Sequence, residues 1–244
     1  AAIQLRTYIA LIALVVVFSF LNPFFLTSRN ISNLLRQIAP TLLTGIGQSY
    51  VLITGNIDLS IGSVVGMSCM VSATLMTKGV DPWVAVFITY VAALIVGFLN
   101  GQLVAKAKLP AFIATLGTMT IARGIAQIVN NNYNTDSIGE AASGFMDFFY
   151  YGRTLGVFNT IWIAMFIWLV FNFILSQTRT GRHLYAVGSN IHAAHLSGVN
   201  ISATITKAYL VSAFCSATVG LITTAISGMG TMDAGKIGRA SCRE

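Results

Sequence analysis

The sequence predicts an all-α fold, a polytopic bundle of transmembrane helices with about seven spans and a cytoplasmic N-terminus. Three observations predict it. Of 244 residues, 55% are apolar and only 9% are charged, against roughly 25% charged residues in a soluble domain. The mean hydropathy of +0.77 is gathered into long apolar runs, so the bilayer is the solvent that accounts for it. The basic residues are strung thinly between those runs with a bias to one side, as the positive-inside rule requires. The formal charge of +7 and pI near 9.6 therefore do not point to nucleic acid, which would need clustered basic residues with interleaved aromatics.

The first span, residues 8–26, is almost unbroken and ends around Asn22 and Pro23, with Phe24 and Phe25 suited to the interface. A second, residues 34–53, carries Pro40, Gly45 and Gly47, which membrane helices tolerate when neighbours satisfy the freed backbone. The third, residues 61–77, is rich in Gly, Ser, Ala and Met, and such small residues let helices approach closely. Spans four and five, residues 83–105 and 111–129, are separated by Lys106, Ala107, Lys108, Leu109 and Pro110, a basic turn of cytoplasmic type.

Residues 130–159 turn polar, with Asp136, Glu140 and Asp147, and read as one long external loop. A sixth span covers 161–175 and a seventh 208–227, with a polar cytoplasmic loop at 177–206 that holds all three histidines. Together residues 1–234 form one transmembrane domain. The hydrophilic stretch 235–244 departs from everything upstream and reads as a non-native or foreign tail.

With the N-terminus inside, Arg6, Lys106, Lys108, Arg179, Arg182 and Lys207 fall inside. Arg29, Arg36, Lys78 and Arg153 fall outside with Asp81, Asp136, Glu140, Asp147 and Asp233. The basic majority and the acidic depletion agree on that orientation. Cys69, Cys215 and Cys242 have no metal spacing, and the first two sit in apolar runs where a thiol behaves as a small hydrophobe. No disulfide or metal site is expected.

Two stretches carry information beyond topology. Residues 54–63 read Thr-Gly-Asn-Ile-Asp-Leu-Ser-Ile-Gly-Ser. Gly55 and Asn56 can end a helix and either Asp58 or Ser60 can cap the next. The stretch is thus a capped turn, or a broken element lining a substrate path. In residues 178–199, Asn190 is a good N-cap and Gly198 a good C-cap, so a short helix between them is expected on the cytoplasmic face. His192 and His195 lie three apart on that helix, but two ligands do not make a zinc site, and a solvated face is the simpler reading.

These residues resemble the ribose-type permease family of bacterial ABC transporters. The resemblance rests on Gly55 to Ser63 for the family's Gly-x-Ile-Asp-Leu-Ser-x-Gly-Ser signature and on Leu109 to Gly117 for its fifth-span entry. It rests also on Thr178 to Val199 for the Gly-Arg-x-x-Tyr-Ala-x-Gly-x-Asn loop ending in Leu-Ser-Gly. It implies a multi-pass subunit of the bacterial inner (plasma) membrane that imports a monosaccharide by alternating access. The implied partners are a periplasmic sugar-binding protein, a second permease copy and a cytoplasmic ATPase that uses the ATP, so no cofactor and no catalytic residue are expected on this chain. It further implies that the Asn190 to Gly198 helix couples to the ATPase, with Gly181, Arg182, Tyr185, Gly188, Asn190, Ala193, Ala194, Leu196, Ser197 and Gly198 as the coupling residues.

Relatives carry acidic residues after the Asn and a basic one before Leu-Ser-Gly, where this chain has Ile191, His192 and His195. The similarity stops near Met229, which reads as a C-terminal truncation.

A neutral sugar needs weak polar groups rather than buried fixed charges. Gln48, Asn56, Asp58, Ser60, Ser63 and Asn100 are the substrate-path candidates by type and depth. The alternative is an ion-coupled secondary transporter using Asp58, since an acid at membrane depth is functional by default. A membrane enzyme is disfavoured because no triad, paired carboxylates or phosphate loop occurs.

Overall fold

The computed structural model describes residues 2–235, with the side chains of 2–5 and 7 left aside. All but the first residue of the expected foreign tail, and Cys242 with it, lie outside the described residues. The helices in chain order are α1 (Ala2–Leu21), α2 (Ser28–Ile53), α3 (Ile61–Thr77), α4 (Pro82–Ala105), α5 (Ala111–Ile128), α6 (Ser143–Met146), α7 (Asn159–Gln177), α8 (Arg179–Ser189), α9 (Ile191–Leu196) and α10 (Ile201–Ser227). Seven spans were expected. Four helices, α4, α5, α7 and α10, are long and apolar enough to cross a membrane by length and composition. The apolar parts of α1 and α3 are shorter, and α2 is diluted by polar residues and Pro40.

Boundaries differ from the sequence expectation for local reasons. The first helix stops at Leu21 because Asn22 Oδ1 accepts from Phe24 N (2.9 Å) and turns the chain into Pro23. Helix α2 begins six residues early, where Thr27 Oγ1 accepts from Asn30 N (3.4 Å). The last helix begins at Ile201 rather than 208, because Asn200 Oδ1 accepts from Ala203 N (2.9 Å).

α10 is the central helix, packed on α2, α3 and α4, and small residues set the distance. A Cβ on Gly97 would lie 2.6 Å from Ala213 Cβ, and one on Gly101 2.6 Å from Thr206 Cα. This Gly-x-x-x-Gly pair seats α4 on α10. Across the other face, a Cβ on Gly220 would lie 2.5 Å from Ser68 Cβ, and Ser72 Oγ and Thr224 Oγ1 share a 2.9 Å hydrogen bond. By contrast α1 exposes Ile9, Leu11, Ile12 and Phe20, as lipid-facing side chains do.

Residues 130–159, expected as an open loop, are folded. A 3-10 turn (Glu140–Ala142), α6 and a π-turn (Asp147–Tyr151) lead into a two-residue hairpin, β1 (Arg153–Thr154) with β2 (Val157–Phe158). Phe145 and Phe149 are buried in the main apolar cluster, and the Arg36 guanidinium lies 4.2 Å from the Tyr150 ring and 4.1 Å from Phe158. The acidic residues gave the stretch a polar look, whereas its Phe-Met-Asp-Phe-Phe-Tyr-Tyr core supplies aromatic faces that bury.

Candidate functional site

The turn after α2 is built as its residues suggest. Gly55 N donates to Leu52 O (2.9 Å) and Asn56 N to Val51 O (3.3 Å), with Gly55 at φ +78°. That is a Schellman ending, which a side chain at Gly55 would strain. Asp58 Oδ1 then accepts from Ser60 N (2.9 Å) and Ser60 Oγ (2.6 Å). Ser60 occupies the N-cap position of α3 but makes no side-chain cap bond. Asp58 therefore holds the turn from within rather than capping the helix.

The carboxylate is 6% exposed, and its other oxygen, Oδ2, accepts from Ser212 Oγ of α10 (2.7 Å). Two further side chains feed the same atom set. Thr118 Oγ1 of α5 donates to Asn100 Oδ1 of α4 (2.7 Å), and Asn100 Nδ2 donates to Ser60 Oγ (3.0 Å). Tyr209 Oη donates to Ile57 O (3.1 Å). Such a chain of buried donors and acceptors polarises its members. Chemically the arrangement is a fastener: it ties the α2–α3 turn to α4, α5 and α10.

The sequence candidates thus divide. Asp58, Ser60 and Asn100 are brought together and buried. Ser63 is buried on α3, Asn56 turns back onto Thr54, its Nδ2 donating to Thr54 Oγ1 (3.0 Å), and Gln48 Oε1 is buried with no hydrogen-bond partner among the described residues. Thr118 and Ser212 completed the network unforeseen; nothing in their local sequence marks them, since only the fold places a hydroxyl opposite Asp58.

The loop after α7 forms two helices. Thr178 Oγ1 accepts from Gly181 N to start α8 (3.4 Å), and Asn190 Oδ1 accepts from Ala193 N to start α9 (3.0 Å). α9 ends in a second Schellman turn, Gly198 N to His195 O and Val199 N to Ala194 O, both 3.0 Å, with Gly198 at φ +78°. Gly181, Leu184, Val187 and Ala194 face inward, and a Cβ on Gly188 would collide with Ile53 O. Arg182, Tyr185, Ala193, Ser197 and Gly198 are exposed, and Leu196 is 87% exposed.

The two motifs share one end of the bundle. An open groove of about 1180 Å³ is lined by Thr54, Asn56, Lys108, Asn190, His192 and His195 among others. The end of α2, the Lys106–Pro110 turn and the segment from Val187 to Ile205 therefore sit side by side.

Comparison with known proteins decides the family. A family model described as "Branched-chain amino acid transport system / permease component" matches residues 30–237. The chain belongs to this permease family. The permease is 34% identical over 230 residues to the ribose import permease protein of Haemophilus influenzae, covering 91% of this chain and 69% of the relative. It is 33% identical to the ribose import permease protein of Bacillus subtilis (91% and 68% covered). Against the galactose/methyl galactoside import permease protein of Escherichia coli it is 31% identical (96% and 71% covered). No solved structure matches. The ribose-type resemblance carried by the three motifs holds, and with its apolar helices the permease is a multi-pass membrane protein.

Proposed function

We propose that the chain is the membrane-spanning subunit of an ATP-driven importer that moves a monosaccharide across the bacterial inner membrane by alternating access. In this reading α1, α2, α3, α4, α5, α7 and α10 are the seven spans, the N-terminus is cytoplasmic and residues 130–159 face outward. A cytoplasmic ATPase, a periplasmic sugar-binding protein and a second permease copy complete the assembly, and all ATP chemistry belongs to the ATPase. The names of the relatives, ribose, D-allose and galactose import permeases, support a monosaccharide as cargo.

The observation that carries this reading is α9. A six-residue helix locked by a cap at each end, with Ala194 anchored inside and Leu196 standing 87% exposed, presents an apolar knob where no lipid-spanning helix needs one. α10 follows four residues later and carries Tyr209 and Ser212 to the Asp58 turn. A push on α9 is thereby transmitted into the bundle. Gly181, Gly188 and Ala194 serve the loop's internal packing, and Arg182, Tyr185, Ala193, Leu196 and Ser197 offer the docking face.

The experiment is uptake of labelled ribose, allose and galactose by the chain co-produced with its ATPase and binding protein. Uptake that needs ATP and survives collapse of the proton gradient supports the importer. Uptake without ATP that stops with the gradient overturns it in favour of an ion-coupled carrier working through Asp58.

A further inference from the structure

From the end of α10 to residue 235 the chain stays against the bundle. It reverses at Gly228, φ +64°, and residues 228–235 run back alongside α3. Gly230 meets Ala73 and Met70, Ala234 O lies 2.6 Å from where a Cβ on Gly66 would sit, and Gly235 O lies 2.9 Å from the same point on Gly62. From Ala73 to Gly62 is about 16 Å at 1.5 Å per helical residue. The descent therefore covers more than half of α3. Ala234 is 4% exposed. Non-helical backbone at membrane depth is tolerated only where it is buried in protein or lines a water-filled cavity.

A cavity is there. It measures about 90 Å³ and is lined by Pro40, Thr41 and Thr44 of α2, Gly62 and Val65 of α3, Val219 of α10, and Gly235. Thr44 Oγ1 donates to Thr41 O (2.9 Å), which leaves its lone pairs for a guest, and Gln48, whose buried Oε1 has no partner among the described residues, sits one turn on along the same helix face. The outer end of the returning segment is tied to the folded 130–159 cap. Ile138 N donates to Gly228 O (2.9 Å), Thr135 N to Gly230 O (3.0 Å), Gly230 N to Thr135 Oγ1 (2.7 Å) and Met232 N to Asn134 Oδ1 (3.0 Å).

We infer that residues 228–235 form a re-entrant strap that closes the sugar passage against Gly62 and Gly66, with Thr41, Thr44 and Gln48 as the hydroxyl and amide groups a passing monosaccharide meets. The inference rests on the importer reading. Gly235 of the strap walls the cavity, and its backbone and that of Ala234 lie in contact with Gly62 and Gly66, which leaves no way past them. The strap must therefore swing aside during transport, and its bonds to Asn134, Thr135 and Ile138 make the outer cap the handle.

The test places single cysteines at Thr44 and at Ala234 in a chain whose own cysteines are serines, assembled with the ATPase and binding protein. A water-soluble thiol reagent labels both positions faster during ATP turnover, and saturating ribose, allose or galactose slows the labelling. A cysteine at Leu42, on the outer face of α2, shows neither effect. In parallel, Gly66→Ala lowers ATP-driven uptake several-fold at normal membrane abundance, whereas Gly45→Ala, which meets nothing within 4 Å, leaves it unchanged. Normal uptake by Gly66→Ala together with turnover-independent labelling at Thr44 and Ala234 overturns the strap while sparing the importer. Absence of ATP-driven uptake in the unaltered assembly removes the importer reading and the strap with it.

Discussion

Ser212 Oγ on α10 donates a 2.7 Å hydrogen bond to Asp58 Oδ2 in the turn between α2 and α3. The two residues are separated by 154 positions and by the seven helices α3 to α9, so the bond exists only in the finished bundle. Leaving a buried acceptor short of one donor costs about 1–3 kcal/mol. Ser212→Ala is expected to lower the stability of the detergent-solubilised chain by about that much, read as a fall in its thermal midpoint. An unchanged midpoint would mean that the carboxylate finds another donor.

Asn100 tests the same network from a different side. Asn100→Leu removes both the donor to Ser60 Oγ and the acceptor of Thr118 Oγ1, two buried bonds instead of one, and leaves Ser60 Oγ only Asp58 and Thr118 Oγ1 only Thr115 O as partners. The expected loss exceeds that of Ser212→Ala, and in the double variant the two losses fall short of additivity because the residues share one network. Strictly additive losses would show that the chain of hydrogen bonds is not a unit.

Close packing of α4 on α10 predicts a contrast between glycines. Gly97→Ala drives a methyl to 2.6 Å from Ala213 Cβ, and overpacking of this kind costs about 1–3 kcal/mol. Gly117→Ala meets nothing within 4 Å and is expected to be neutral or to stabilise by about 0.5–1 kcal/mol through helix propensity. Thermal unfolding of the two variants side by side settles the point, and equal behaviour would refute the packing account.

Much of this was legible in the sequence, and the parts that were not share a cause. The helix ends at Gly55 and Gly198 were readable because a left-handed residue closes a helix by local geometry alone. α9 was readable because Asn190 and Gly198 bracket it. What Asp58 does was not: the acid and the Ser60 hydroxyl announced a polar turn, but Thr118 and Ser212, which make it a fastener, are ordinary hydroxyls in apolar runs. Thr41 and Thr44, which line the cavity beside Gly235, are equally ordinary hydroxyls in the sequence. Phe145 and Phe149 were hidden in a stretch whose acids dominated its character, so a folded cap read as a loop.

Sidedness gives a further prediction. Single cysteines at Lys108 and Ser197 are expected to react with a membrane-impermeant reagent only from the cytoplasmic side, and one at Leu155, 88% exposed at the hairpin tip, only from the outside. Reaction of all three from one side would break the proposed orientation.

The most direct test of the central claim, that α9 receives the push of an ATPase, is ATP-driven sugar uptake by Leu196→Asp. The side chain is 87% exposed, so the substitution removes no internal contact and thermal stability is expected to stay unchanged. The account predicts that uptake and co-purification of the ATPase are both lost. Uptake at the unaltered rate, with the ATPase still bound, would contradict it.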